Sequence, residues 1–548
     1  MTQEKVTTLI AQKTAPSTLE GDSKAILRSL RSKELFFAVV GPVGAGGSRA
    51  IASLERACGE AGYKVELIRV SDLIKDWANE QGKPQPSFDR KTLENVKILQ
   101  DWGDEMREVD PAAVARATLA EIARRRAIRT GVEFVPGQAV APGAEKVAYL
   151  IDSIRHPAET NLFRRTYANA FALVGVVCEE QERIKRILGK YLTTPEQQMP
   201  DLVAKAKAFI SRDADDEVAA HGQHVAKAFF EADFFVDNTE QDVSDKHQFL
   251  DEPLVRLIAI VSHDRIVRPT IEETAMHHAH SARVRSACLS RQVGAALVDF
   301  EGTVLATGTN EVPRAGGGVY GELFAEESGP DDRCAFRPEA YCSSNREQNR
   351  IIDDLIKAIP ELDVVADRAT LRRTLRKTAV GQLIEFSRAF HAEMDALMSA
   401  GRDGVSTSGT RLFVTTFPCH YCARHIVSAG VHEVQFIEPY PKSLALNLHK
   451  DAITVDVSRW VAPGATRQVT KDEATDDAPE GTILHGKVLF RPFVGVAPRL
   501  YLRAFEKIRD LKDKETGELK IGEPEWGDEW SPFVVAYPEI EAALSRTK

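Results

Sequence analysis

His391, Glu393, Cys419 and Cys422 are the residues whose types and spacing could do chemistry together. His391-Ala392-Glu393 is followed, twenty-eight residues after the histidine, by Cys419 within Pro418-Cys419-His420-Tyr421-Cys422. One imidazole and two thiolates make a three-ligand Zn2+ site with an open fourth position, which a catalytic zinc needs to hold and acidify water. Glu393 is left over as a base. It stands two residues from the ligand His391, placed to take a proton from that water and return it to a leaving group. A chance C-x-x-C, a redox pair or a structural zinc would account for the cysteines but not for the histidine, glutamate and proline beside them.

The elements that must position these groups are legible around them. Arg411-Leu412-Phe413-Val414-Thr415-Thr416-Phe417 reads as a buried strand ending at Pro418, and Cys419 to Val427 as the helix that follows. Cys419 and Cys422 then lie one turn apart on the first helical turn, where the positive end of the helix dipole favours thiolates. His391 to Met398 reads as the start of another helix, so two helix N-termini are expected to meet at the metal. H-x-E followed by P-C-x-x-C resembles the signature of zinc-dependent nucleobase deaminases, in which the glutamate is acid and base rather than ligand.

A chain of 548 residues is too long for one core and implies two or three domains. Hydrophobic content of 43% and charged content of 28% are those of an ordinary soluble protein. No apolar run reaches about 18 residues, so no membrane span is expected, and Met1-Thr2-Gln3-Glu4-Lys5 lacks a signal-peptide pattern. Seven cysteines, two of them spent on metal, fit a reducing cytoplasm. A net charge of -10 argues against an extended phosphate-backbone partner, while a small nucleotide needs only a local cationic pocket.

Residues 1–32 read as a polar tail with at most a short helix. From 33 to 240 an α/β pattern begins with the apolar run Leu35 to Val40, followed at once by Gly41-Pro42-Val43-Gly44-Ala45-Gly46-Gly47-Ser48 and an alanine-rich helix. Strand, glycine loop and helix are the context of a phosphate-binding loop. The pattern G-x-x-x-x-G-K-[ST] is one residue short, with Gly47 in the lysine position, although Ser48 could still serve Mg2+. Nucleotide binding is therefore favoured over phosphoryl transfer, with tight strand-to-helix packing as the plain alternative. Strands at 64–70, 146–152, 170–177 and 233–238 complete a parallel sheet with helices on both faces, and Asp152 ends one of them as a strand that positions Mg2+ or water would. The arrangement resembles P-loop nucleotide or nucleoside kinases.

Residues 241–268 read as connector, 269–460 as the zinc domain and 461–548 as a C-terminal extension packing on that domain or on a neighbouring subunit. The zinc domain opens with a long helix from Thr270 to Cys288, whose His277, His278 and His280 lack partners at ligand spacing. Strands 291–299 and 303–310, joined at Glu301-Gly302, lead on to the zinc helices. Helix, hairpin, zinc helix, strand and zinc helix is the order of the three-layer α/β/α fold of cytidine and deoxycytidylate deaminases. Gly308-Thr309-Asn310-Glu311-Val312-Pro313 resembles their G-Y-N-G-x-P loop, and the resemblance gives Asn310 a nucleotide contact, with Glu311 standing where the family has glycine. Cys334 and Cys342 fall in a long insertion, as buried free thiols or a second metal site. Arg346, Arg350, Arg372, Arg373 and Arg376 read as a solvated helix face that could meet triphosphate, Lys442 as a phosphate contact by location, and Trp526 and Trp530 as part of the extension.

A kinase-like P-loop domain ahead of a deoxycytidylate-type deaminase resembles the bacterial anti-phage deoxycytidylate deaminases over nearly the whole chain. That resemblance implies conversion of dCTP and dCMP to the uracil nucleotides, which depletes the pool a phage needs. It also implies a P-loop domain that controls activity and a homo-oligomer; an inhibitory regulator of unspecified identity is a further candidate partner. An RNA- or single-stranded-DNA-editing deaminase would use the same zinc site but needs a basic groove interleaved with aromatics, against 7% aromatic content and net negative charge. A binding-only nucleotide sensor would dispense with Glu393.

Overall fold

The computed structural model describes residues 22–88, 92–192, 204, 224–239, 248–263, 265–321, 331–384, 386–440, 443–474, 478–522, 530–533 and 537–545. Lys442 and Trp526 lie outside the described residues. The chain divides into two compact units, residues 1–269 with 494–548, and residues 270–493. No helix among the described residues is long and apolar enough to cross a membrane.

In chain order the first unit holds β1 (Glu34–Val40), α1 (Gly47–Glu60), β2 (Lys64–Ile68), α2 (Val70–Glu80), α3 (Leu93–Val109), α4 (Ala113–Thr130), β3 (Val147–Ile154), α5 (Pro157–Tyr167), β4 (Phe171–Val177), α6 (Glu180–Tyr191), β5 (Phe234–Asp237) and α7 (Gln248–Ser262). The second holds α8 (Ile271–Arg283), β6 (Gly294–Val298), β7 (Val304–Thr309), α9 (Ser343–Ala358), α10 (Ala392–Arg402), β8 (Arg411–Thr416), α11 (His420–Ser428), β9 (Glu433–Glu438), β10 (Ile453–Thr454), β11 (Thr466–Gln468), β12 (Ile483–His485) and β13 (Val488–Pro492). β14 (Gly495–Val496), α12 (Pro498–Phe505) and α13 (Tyr537–Leu544) return to the first unit.

The first sheet has the order β14-β5-β4-β1-β3-β2, parallel except where β14 runs antiparallel to β5. β1 is central and all seven of its residues are buried, which is why it reads as a continuous apolar run. Leu35, Phe37 and Val39 face α1 and α7, joining Ala50, Leu54, Leu254 and Leu257 in one core. Phe36 faces the other way and stacks on Tyr167, so helices cover both faces. Each such side chain contributes roughly 1.5–3 kcal/mol by leaving water.

Two boundaries differ from the sequence reading. Residues 248–262 are not connector: α7 buries Leu250, Leu254, Leu257, Ile258, Ile260 and Val261 in the first core. The C-terminal extension does not pack as one piece on the zinc-bearing unit. Up to Phe493 it belongs there, through β13 and the β11-β12 hairpin, whereas 494–548 belongs with the first unit. Ser23–Ser29 is the short helix expected near the N-terminus.

The second sheet has the order β10-β13-β9-β8-β6-β7, in which β10, β13, β9 and β8 are parallel while β6 runs antiparallel to β8 and β7. Small residues allow helices to lie directly on β6 and β7. A methyl group at Gly294 would overlap the carbonyl of Ala279 in α8, and one at Gly308 would overlap the carbonyl of Ala392 in α10. On β6, Ala295 and Leu297 join α10 in a core that Gly294 does not enter, so α8 and α10 cover opposite faces and the unit has three layers.

Candidate active site and metal centre

α10 and α11 start side by side at the C-terminal ends of the strands. His391 is the N-cap of α10, and the residue before it, Phe390, exchanges two backbone hydrogen bonds with Glu311 at 2.8 and 3.1 Å. Cys419 is the N-cap of α11, where its Sγ accepts from the Cys422 N–H at 3.5 Å. His391 Nδ1 lies 3.4 Å from Cys419 Sγ and 3.3 Å from Cys422 Sγ. A tetrahedral zinc with ordinary Zn–S and Zn–N bonds would hold sulfur and nitrogen about 3.5 Å apart. The donor set and its spacing therefore fit zinc. Among the described residues these three are the group of metal-binding type whose ligand atoms converge, all within 4.8 Å of one another. Cys334 and Cys342 are not part of such a group: Cys334 Sγ accepts from Arg337 at 2.9 Å and Cys342 Sγ lies 3.7 Å from Ser290 Oγ.

The side chains at the centre perturb one another. The Cys422 thiol holds Cys419 down at about 4, helped by the imidazole and against burial. Burial works against a charged His391, but the Cys419 hydrogen bond and the charges of Glu393 and Cys419 hold it up at about 9. Burial pushes the Glu393 carboxyl up to about 7. The site is thus prone to carry a thiolate and to shed protons when a cation binds.

A cavity of about 400 Å³ opens on this centre, with His391, Cys419 and Glu393 in its wall. Glu393 is 4% exposed and forms no ion pair among the described residues. Asn310 also lines the cavity, but its amide is engaged: Oδ1 accepts from Val293 N–H at 2.6 Å and Nδ2 donates to Arg291 O at 2.7 Å. One amide hydrogen is left for a ligand. Glu311, the residue in the glycine position, turns its carboxylate to backbone, accepting from Ala287 N–H at 2.7 Å and Val312 N–H at 2.8 Å. It thereby ties the segment carrying Cys288 to Arg291, another part of the wall, to the end of β7.

Tyr440, in the 438–443 segment that the sequence reads as a loop over the substrate pocket, lines the cavity, and so do Arg291 and Thr416, to which sequence reasoning gave no site role. Arg291 Nη1 pairs with Glu438 Oε1 at 2.6 Å, and Thr416 Oγ1 donates to Glu438 Oε2 at 3.0 Å. Thr416 and Glu438 sit in register at the ends of the parallel strands β8 and β9. Strand ends beside a helix N-terminus were the available signal, since ligands gather there in α/β sheets.

Residues 269–438 match the family described as the cytidine and deoxycytidylate deaminase zinc-binding region. That part of the chain is similar to a deaminase zinc-binding region. Deoxycytidylate deaminase of Enterobacteria phage T4 is 28% identical over 172 residues, which are 31% of this chain and 79% of the phage protein. Among solved structures, the dCMP deaminase of cyanophage S-TIM5 in complex with dCMP and dUMP is 22% identical, covering 34% of this chain and 93% of that one with a TM-score of 0.21. Shikimate kinase from Acinetobacter baumannii in complex with shikimate is 12% identical, covering 44% of this chain and 99% of that one with a TM-score of 0.22. All but the first residue of the zinc-binding match lies in the second unit, where it spans the hairpin, both metal-bearing helices and β9.

In the first unit Gly41 to Gly46 form the turn between β1 and α1, with Gly44 and Gly46 in the left-handed region, and Gly47 and Ser48 open α1. Asp152 lies within β3, which runs on to Ile154, and its Oδ1 accepts from Val70 N–H at 2.9 Å. Burial holds that carboxyl above its ordinary range, against the pull of this hydrogen bond.

Proposed function

We propose that this chain deaminates free deoxycytidine nucleotides, dCTP and dCMP, to dUTP and dUMP. One placement carries the reading: the buried carboxyl of Glu393, in no ion pair among the described residues, stands in the cavity wall beside His391 and Cys419. Zinc bound by His391, Cys419 and Cys422 would supply a Lewis acid that lowers the pKa of a water molecule. Glu393 takes a proton from that water and passes protons to ring N3 and to the departing amine. The water oxygen bonds to C4, the C4–N bond breaks with its electron pair on nitrogen, and the products are the uracil nucleotide and ammonia. Asn310 keeps one donor for the nucleotide, and about 400 Å³ suits a ligand of that size.

The wider reading rests on the resemblance of the paired P-loop and zinc regions. Depletion of dCTP would starve phage replication, the P-loop unit would bind nucleotide and control activity, and the enzyme would work as a homo-oligomer under an inhibitory regulator. Ammonia release from dCTP, dCMP, CTP and a cytosine-containing oligonucleotide, with Glu393→Ala as control, tests the chemistry. Turnover of free deoxynucleotides alone is expected. Turnover of the oligonucleotide alone would replace the substrate class by nucleic-acid editing. Infection of cells carrying wild type or Glu393→Ala tests the defence role, since only wild type should lower dCTP and phage yield.

A further inference from the structure

The segment between β7 and α10 supplies part of the wall of the zinc cavity, and its helix α9 brings there a buried side chain that the deamination chemistry does not use. Ser344, Asn345 and Gln348 of α9 all line the cavity. Gln348 lies four and three residues beyond the other two, on the same face of the helix, and is 7% exposed. Its amide has a fixed orientation. Nε2 donates to the Leu383 carbonyl at 2.6 Å, and a carbonyl can only accept, so nitrogen and oxygen cannot be exchanged. Oε1 accepts from none of the described residues and is not enclosed, so the little surface that Gln348 keeps carries an open acceptor at the cavity.

The other buried amide and carboxylate oxygens of this wall are committed. Asn310 Oδ1 and both carboxylate oxygens of Glu311 accept from backbone N–H groups, and Glu393 is the acid–base group. An acceptor left open in a ligand cavity marks where a donor of the ligand belongs, because leaving it unmet in the complex costs more than an ordinary hydrogen bond returns. A deoxycytidine nucleotide has few donors to offer. Its phosphates are chiefly acceptors at neutral pH, and its exocyclic amine must lie beside Glu393, where it departs. The 3′-hydroxyl of the sugar is the donor that remains. A nucleotide inside a DNA strand has no such donor, since its 3′-oxygen is esterified.

We infer that Gln348 Oε1 accepts from the 3′-hydroxyl of the substrate sugar, which makes Gln348 a specificity-determining residue that favours free nucleotides over cytosine within a strand. This rests on the deoxycytidine-nucleotide reading of the zinc site. The test uses the full chain loaded with zinc and compares kcat/KM for dCMP and 2′,3′-dideoxycytidine 5′-monophosphate. With wild type the dideoxy nucleotide, which leaves Oε1 unmet, is expected to react about 10–100-fold less well. Gln348→Met and Gln348→Leu fill the same space without an acceptor, and in each the ratio of the two substrates should fall to about one. A purely structural role would lower both substrates together and leave the ratio at its wild-type value, which would overturn the assignment. Equal reaction of the two nucleotides with wild type would also overturn it, while leaving the deoxycytidine-nucleotide reading intact. Turnover of neither would overturn both.

Discussion

Glu393 and the three ligand candidates divide their work in a way that substitution can separate. Glu393→Gln keeps the shape of the cavity wall and removes the acid–base group, so turnover should fall about 10²–10⁴-fold while zinc content stays at wild-type level by elemental analysis. Cys419→Ala removes a donor that lies 3.4 Å from His391 Nδ1 and should lose the metal itself. If that variant kept one zinc per chain, the ligand set would be wrong. These four residues were legible in the sequence because each sits at or near a helix N-terminus, where i to i+2 and i to i+3 spacings fix which groups share a turn. Asn310 was legible as a position but not in its bonding, since a resemblance transfers a location and not the Val293 and Arg291 backbone groups that occupy its amide. Arg291 and Thr416 passed without a role because what joins them is Glu438, a partner far from both along the chain and brought near only by strand register.

The elements behind the site hold it through close backbone approach. β7 presents Gly308 directly to the first turn of α10, and Asp395 of that helix accepts from Thr309 N–H at 3.0 Å, so helix and strand are locked where His391 and Glu393 begin. Gly308→Ala would place a methyl group against the carbonyl of Ala392 and the amide of Ala396, both backbone atoms of the helix. The helix must shift, and overpacking of this kind costs about 1–3 kcal/mol. The expected result is a lower unfolding temperature together with weaker zinc retention in a chelator competition. Gly316→Ala serves as the control. A Cβ there meets nothing within 4 Å although φ is 90°, so backbone strain without helix displacement should leave zinc retention unchanged. Periodicity identified helix and strand here, but the reason for glycine in a strand emerges only with the helix in place.

At the scale of the whole chain, the parallel first sheet with helices on both faces followed from the alternation of apolar runs and helical patterns, whereas the destination of the C-terminus did not. β14 is two residues long and pairs with β5 across some 260 positions, too short to carry a pattern. α13 is attached by polar groups that a hydrophobic reading passes over. Arg126 is fully buried between Glu34, at 2.9 Å, and Glu541, at 2.6 Å. Tyr537 O–H donates to Glu34 at 2.6 Å and Tyr167 O–H to Glu541 at 2.5 Å. Removing one partner of a buried ion pair costs about 3–5 kcal/mol, because the remaining charge cannot be hydrated. Glu541→Ala should therefore unfold the first unit at markedly lower denaturant, read from the near-UV signal of Trp530, which packs with Arg503 in the same unit. Glu539→Ala, on the exposed side of the same helix, should change stability by no more than about 0.5 kcal/mol. Replacing the pair by Arg126→Met and Glu541→Met together should recover most of the loss, as apolar substitution of a buried pair commonly does. If Glu541→Ala behaved like Glu539→Ala, the C-terminal helix would contribute nothing to the fold of the first unit, and the buried network around Arg126 would owe its stability to Glu34 alone.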